Sequence, residues 1–266
     1  MNPMIRKELN LRMRERRGWI LPSLYLIALG GVGALVYFMA TSQPLSRPQG
    51  SDLGVMLFIT AAYTQLVLLL LLAPVFSAGA LTIEKEQRTM ASLLTSLLTS
   101  FQIWWGKFAA SLLFVMLLIL LGIPILSLAF AFGGIGPWEV GMATLTTIIT
   151  IGAVGAVGLY WSSVFRRSVH ATAVSYATII TLTVVTFIIF MISMSTYGRN
   201  GVTWTALPLW IKVPLYLNPI FFLTSSFATP AELYPEWYRC LAAFLILSAV
   251  AFSLSLRNIR KSGESL

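Results

Sequence analysis

Residues Val55–Leu81 read VMLFITAAYTQLVLLLLLAPVFSAGAL, 27 positions without one charged side chain. About 20 apolar helical residues suffice to cross the hydrocarbon core of a bilayer, so a run of this length reads as a membrane span. Five further stretches share the character: Trp19–Ala40, Phe108–Phe130, Val140–Phe165, Val169–Met194 and Tyr238–Leu256. Inside lipid every backbone N–H and C=O must bond within its own segment, which makes these segments helices. The expected fold is therefore an all-α integral membrane protein with six transmembrane helices in a single transmembrane domain, 1–266.

The composition agrees. Of 266 residues, 58% are hydrophobic and only 10% charged, and the mean hydropathy is +0.84. Soluble domains carry about 25% charged residues, so an ordinary globular enzyme is excluded. The net charge of +9 could suggest nucleic acid, but its distribution points to topology. With the N-terminus inside the cell, 14 of the 18 Lys and Arg residues fall on the cytoplasmic side. They lie before the first span, between spans two and three, between four and five, and after the sixth. Arg47, Arg199, Lys212 and Arg239 remain outside. Such a bias orients a membrane protein and places both termini in the cytoplasm.

Residues 1–18 form a basic helix with Ile5, Leu9 and Met13 on a narrow apolar stripe, the pattern of an elbow helix lying in the membrane interface. Small residues recur in span one (Gly30, Gly31, Gly33, Ala34) and span four (Gly152, Gly155, Ala156, Gly158), where they allow close helix packing. In span five Thr172, Ser175, Thr178 and Thr181 form a row suited to hydrogen bonding with a neighbouring helix or to lining a polar path. The stretch 197–237 is rich in Trp, Tyr and Pro: too broken to cross, too apolar for a solvated loop. It reads as an external re-entrant region of short helices dipping into the outer leaflet.

Catalytic motifs are absent. There is no G-x-x-x-x-G-K-[ST] phosphate loop and no G-x-S-x-G elbow; His170 is the lone histidine and Cys240 the lone cysteine. No catalytic, cofactor or metal residue is expected. Nor does any titratable group occupy a span centre, where ion-coupled carriers keep them at a cost of at least ~2.5 kcal/mol each. A substrate moved by this chain would need power from elsewhere.

The cytoplasmic segment 82–107 is the richest internal one. Its core, Glu84–Lys107, reads EKEQRTMASLLTSLLTSFQIWWGK. Glu84, Lys85, Glu86, Arg88 and Thr89 precede an apolar row of Met90, Leu93, Leu94, Leu97 and Leu98 at helical spacing, opposite a Ser/Thr face. The amphipathic helix so predicted lies between two spans, where a soluble motor could push on both.

This segment resembles the coupling loop of ABC-2-type exporter permeases, in which E-[KR]-E-x-G-T-x-E-x-L-L-x-x-P-L-S precedes a Gly-Lys. Glu84, Lys85, Glu86, Thr89, Leu93, Leu94, Leu98, Gly106 and Lys107 match, as do Asn2-Pro3, Arg6-Lys7-Glu8-Leu9 and Leu217-Asn218-Pro219. Arg88, Ala91 and Leu97 depart, standing where Gly, Glu and Pro are usual. The resemblance implies a multi-pass permease of the prokaryotic inner membrane. A dimer of such chains would form the path, and each copy would engage a separate ATPase subunit that holds ATP and magnesium. Glu84, Glu86 and Arg88 would then touch the ATPase, with the Met90–Leu98 face seating the coupling helix. Two other readings stay open: a non-transporting membrane scaffold or immunity protein, and a self-contained channel or carrier.

Overall fold

The computed structural model describes residues 17–42, 50–88, 100–197, 208–227 and 230–264. The elbow residues Ile5, Leu9 and Met13 and the coupling-loop residues Thr89, Met90, Leu93, Leu94, Leu97 and Leu98 lie outside the described residues. Among the described residues all regular structure is helical: α1 (Arg17–Ser42), α2 (Gly50–Ser77), α3 (Thr82–Glu86), α4 (Ser100–Ser127), a 3-10 turn (Leu128–Ala131), α5 (Pro137–Val164), α6 (Ser168–Ile180), a π-helical turn (Thr181–Val185), α7 (Thr186–Tyr197), α8 (Leu209–Tyr216), α9 (Pro219–Ser226) and α10 (Pro230–Glu264). Among the described residues six helical segments are long and apolar enough to cross a membrane: α1, α2 continued through α3, α4, α5, α6 continued through α7, and α10.

The spans divide into core and periphery. About two thirds of the most apolar stretch of α5 and 61% of that of α2 is buried, against 11% in α1 and in the α6–α7 span. Leu66 and Leu69 of α2 meet Leu118 and Ile119 of α4 and Ile151 of α5 at the centre. Lipid is as apolar as these side chains, so close packing and buried hydrogen bonds must hold the helices together. Gly158 shows how tight the packing is. A Cβ there would lie 2.0 Å from Ser77 Oγ and 2.9 Å from Ser77 Cβ, so only glycine lets α5 approach α2 this closely. Gly155 packs on Leu112 in the same way. Span one differs from its sequence reading. Added Cβ atoms at Gly30, Gly31 and Gly33 would meet no atom within 4 Å, so that small-residue stripe is not used for packing within the chain.

Two element boundaries also differ from the sequence reading. α4 begins at Ser100, so the last residues of the 82–107 segment already belong to the third span. α10 begins at Pro230 and runs 35 residues, so the end of the 197–237 region is the first part of the sixth span's helix. In both places the helix continues past the apolar run, which is the only part that hydropathy detects.

Two short helices, α8 and α9, precede the last span and form a hairpin. Asn218 at its tip accepts from Ile220 N (2.8 Å) and Phe221 N (3.2 Å), capping α9, with Pro219 at the first helical position. Its Nδ2 donates to Thr183 O (2.9 Å) and Thr186 Oγ1 (2.8 Å), at the π-helical turn midway along the fifth span. Non-helical backbone is tolerated at membrane depth only when protein surrounds it. Asn218, 1% exposed, meets that condition.

Candidate functional site

Three consecutive residues of α3 fasten it to three different helices. Successive helical side chains point about 100° apart, so Glu84, Lys85 and Glu86 leave a one-turn helix in three directions. Glu84 Oε1 pairs with Lys107 Nζ of α4 at 3.0 Å. Lys85 Nζ donates to the carbonyls of Ser162 (3.0 Å), Ser163 and Phe165 (3.0 Å) at the C-terminus of α5. The last turn of a helix leaves its carbonyls unbonded and carries a partial negative charge, so one ammonium satisfies both needs. Glu86 Oε1 accepts from Ser168 N (2.6 Å) and Ser168 Oγ (2.9 Å) at the N-terminus of α6, where a carboxylate meets the opposite partial charge. Arg167, the residue at the cap position of α6, gives the helix no side-chain cap, so Glu86 acts as the cap from a distance.

The return contact comes from Ser162. Its Oγ accepts from Leu81 N (2.9 Å) and Thr82 N (3.1 Å), supplying α3 with the N-cap that Leu81 cannot. Ser163 Oγ accepts from Asn258 Nδ2 of α10 at 3.1 Å, which ties the sixth span to the same hub. The α3 end of the bundle is therefore one polar latch joining α2, α3, α4, α5, α6 and α10.

Beyond the latch the chain turns outward. Gln87 N bonds to Ile83 O at 3.0 Å, and Arg88 follows with φ +58, a left-handed conformation. That position ends a helix and is the one glycine fills without a Cβ clash. Glycine's frequency at this point in the resembling coupling loops thus has a backbone reason. Ile83, Gln87 and Arg88 are exposed on the outer surface of α3.

Of the residues expected to couple, Glu84, Lys85 and Glu86 are brought together and have partners within the chain, while Arg88 is exposed beside them. Sequence reading did not single out Ser162, Ser163, Ser168 or Asn258. They lie about 80 or more residues from α3, and a lone serine at a helix end carries no local signal. In the fifth span, Thr178 Oγ1 accepts from Trp161 Nε1 of α5 at 3.1 Å, a neighbour-helix bond of the kind its row suggested. Ser175 and Thr172 bond to their own backbone instead. At the other end, Arg239 pairs with Glu236 at 2.6 Å and donates to Tyr216 OH at 3.3 Å. Burial, and then the Glu236 carboxyl, raises the Tyr216 phenol above its ordinary value. Among the described residues no group of acidic, His and Cys side chains could hold a metal.

Six apolar spans, a hairpin sunk between the last two, and a polar latch closing one end define a multi-pass membrane protein. Residues 40–257 match the family described as ABC-2 family transporter protein, and the chain belongs to that family. It is a membrane transport component. No curated protein matches the chain.

Proposed function

We propose that this chain is the permease subunit of an ATP-driven exporter, two copies forming the translocation path and each engaging a separate ATPase subunit. The α3 end faces the cytoplasm in this reading, in the inner membrane of a prokaryote, and the whole chain acts as one transmembrane domain. ATP and magnesium are held by the partner; this chain binds no cofactor and performs no catalysis.

The latch carries the reading. A force applied to exposed Ile83, Gln87 and Arg88 enters a helix of five residues fastened to α4, α5 and α6. Motion of α3 would therefore pass to three spans at once, as a coupling element requires. Membership in the ABC-2 family supports an ATPase partner, and span centres free of charge support an external source of power.

The experiment is co-purification from a cell expressing the chain with its candidate Walker-motif ATPase, followed by ATP hydrolysis in liposomes. The expected result is a stable complex whose hydrolysis rises with transported substrate. A complex that binds the ATPase but never couples hydrolysis to transport would favour a scaffold. Transport persisting without any ATPase would favour a self-contained carrier.

A further inference from the structure

The first span has little hold on the bundle. Among the described residues of α1 only Tyr25 and Leu29 are buried, in the core they share with α2 and α4. Tyr25 is 3% exposed, yet among the described residues its phenol oxygen has no hydrogen-bond partner. Gln65 of α2 is 1% exposed, and neither its Oε1 nor its Nε2 has one. Gln65 lies well inside the charge-free run Val55–Leu81, at a depth where bulk water does not replace missing bonds.

Gly122 of α4 is where the two groups meet. A Cβ there would lie 2.8 Å from Tyr25 Oη, 3.1 Å from Gln65 Nε2 and 3.1 Å from Gln65 Cδ. Both side chains thus converge on one bare Cα, and only a residue without a side chain leaves them that room. They are nevertheless not bonded to each other. The rest of this core is apolar, with Leu66, Leu118 and Ile119 among its members. Burying a hydroxyl or an amide costs free energy unless it finds a partner. Three orphaned polar atoms gathered at one place are what a single ordered water satisfies.

We propose that Tyr25, Gln65 and Gly122 form a binding site for one water molecule, a polar joint between α1, α2 and α4. Water suits the site because it donates and accepts. The Tyr25 hydroxyl and the Gln65 carboxamide also do both, so the bridge closes whichever way round the amide lies. A bare ion does not suit it, since neither side chain brings a charge to compensate one at this depth. Lipid exerts no force that presses helices together, so hydrogen bonds through this water supply part of the hold on α1.

The test is hydroxyl-radical footprinting of the full chain in nanodiscs, with radicals generated by brief X-ray pulses and modified residues located by mass spectrometry. Radicals made from a bound water attack the nearest side chain, so a buried residue is labelled only where water sits beside it. We expect Tyr25 to be modified at least about tenfold faster than Phe58, which is 1% exposed in the same core. Gln65→Leu removes one of the water's side-chain partners at similar size. It should bring Tyr25 down to the Phe58 rate, because a buried water needs two or more polar partners to stay. Gly122→Ala sets a methyl group against Tyr25 and Gln65 and should do the same. If Gly122→Ala fails to fold, Gln65→Leu decides alone. Tyr25 labelled no faster than Phe58 in the unaltered chain would overturn the site. Tyr25 labelled as fast in the variants as in the unaltered chain would mean that solvent reaches it along the first span, and would overturn the site equally.

Discussion

The pair Glu84–Lys107 sets how firmly α3 is held to the third span, and a double-mutant cycle measures it. The charges are 3.0 Å apart, with Lys107 7% and Glu84 25% exposed. Removing one member of a buried pair costs about 3–5 kcal/mol because the other charge is left uncompensated. Glu84 keeps some solvent, and both residues have further interactions, which brings the expected coupling down to about 2 kcal/mol, or roughly 30-fold in the unfolding constant. The order of the single variants follows from burial. Glu84→Leu takes the carboxylate from the better buried ammonium and should destabilise more than Lys107→Met, which leaves a carboxylate with access to water. The double variant should recover most of the loss, because an apolar pair in the same volume leaves no charge behind. The assay is chemical unfolding of the purified chain in nanodiscs, with all four proteins measured together. Strictly additive losses, or a double variant weaker than either single one, would refute the latch as an electrostatic unit.

Arg88→Gly should raise stability by up to about 1 kcal/mol. It relieves a left-handed backbone costing an L-residue about 1–2 kcal/mol, offset in part by glycine's greater freedom when unfolded. Arg88→Val should lower stability in the same unfolding assay. Arg88→Glu should instead leave the fold intact and weaken ATPase association in pull-downs. Asn218→Leu removes the α9 cap and the donor to Thr183 O together, and should cost about 2 kcal/mol; limited proteolysis of the α8–α9 hairpin would report its loosening. Gly158→Leu drives a side chain into Ser77 and should cost about 1–3 kcal/mol through displacement of α5 from α2, read as a lowered melting temperature.

Much of the architecture was legible because lipid imposes a severe rule. Spans need about 20 apolar residues, and the runs at Val55–Leu81 and Val140–Phe165 could be nothing else. Hydropathy sees only the part of a helix that lies in lipid. It therefore placed the start of the third span at Phe108 and of the sixth at Tyr238, while the helices begin at Ser100 and Pro230. Leu217-Asn218-Pro219 was picked out only by its resemblance to the family, although a cap residue followed by proline is a local signature that could have marked the start of α9. The bond from Asn218 to the π-helical turn was not legible, since nothing near Thr183 marks an unbonded carbonyl. The Glu84-Lys85-Glu86 run stood out in the sequence as a charged cluster, but the direction of its contacts did not. Glu86 reaches Ser168 across 82 residues of sequence, and pattern reading carries no information about such pairings. Small-residue stripes mislead for a related reason: the same spacing packs tightly at Gly158 and faces nothing in the chain at Gly152 or Gly30.

Everything functional depends on the α3 end being the face that an ATPase grips. With Cys240 changed to Ser, Gln87→Cys or Arg88→Cys provides a single exposed thiol for a membrane-impermeant maleimide. Labelling in inside-out vesicles but not in intact cells, lost when the ATPase subunit is bound, is the predicted result. Labelling of intact cells, or labelling indifferent to the bound ATPase, would contradict the account.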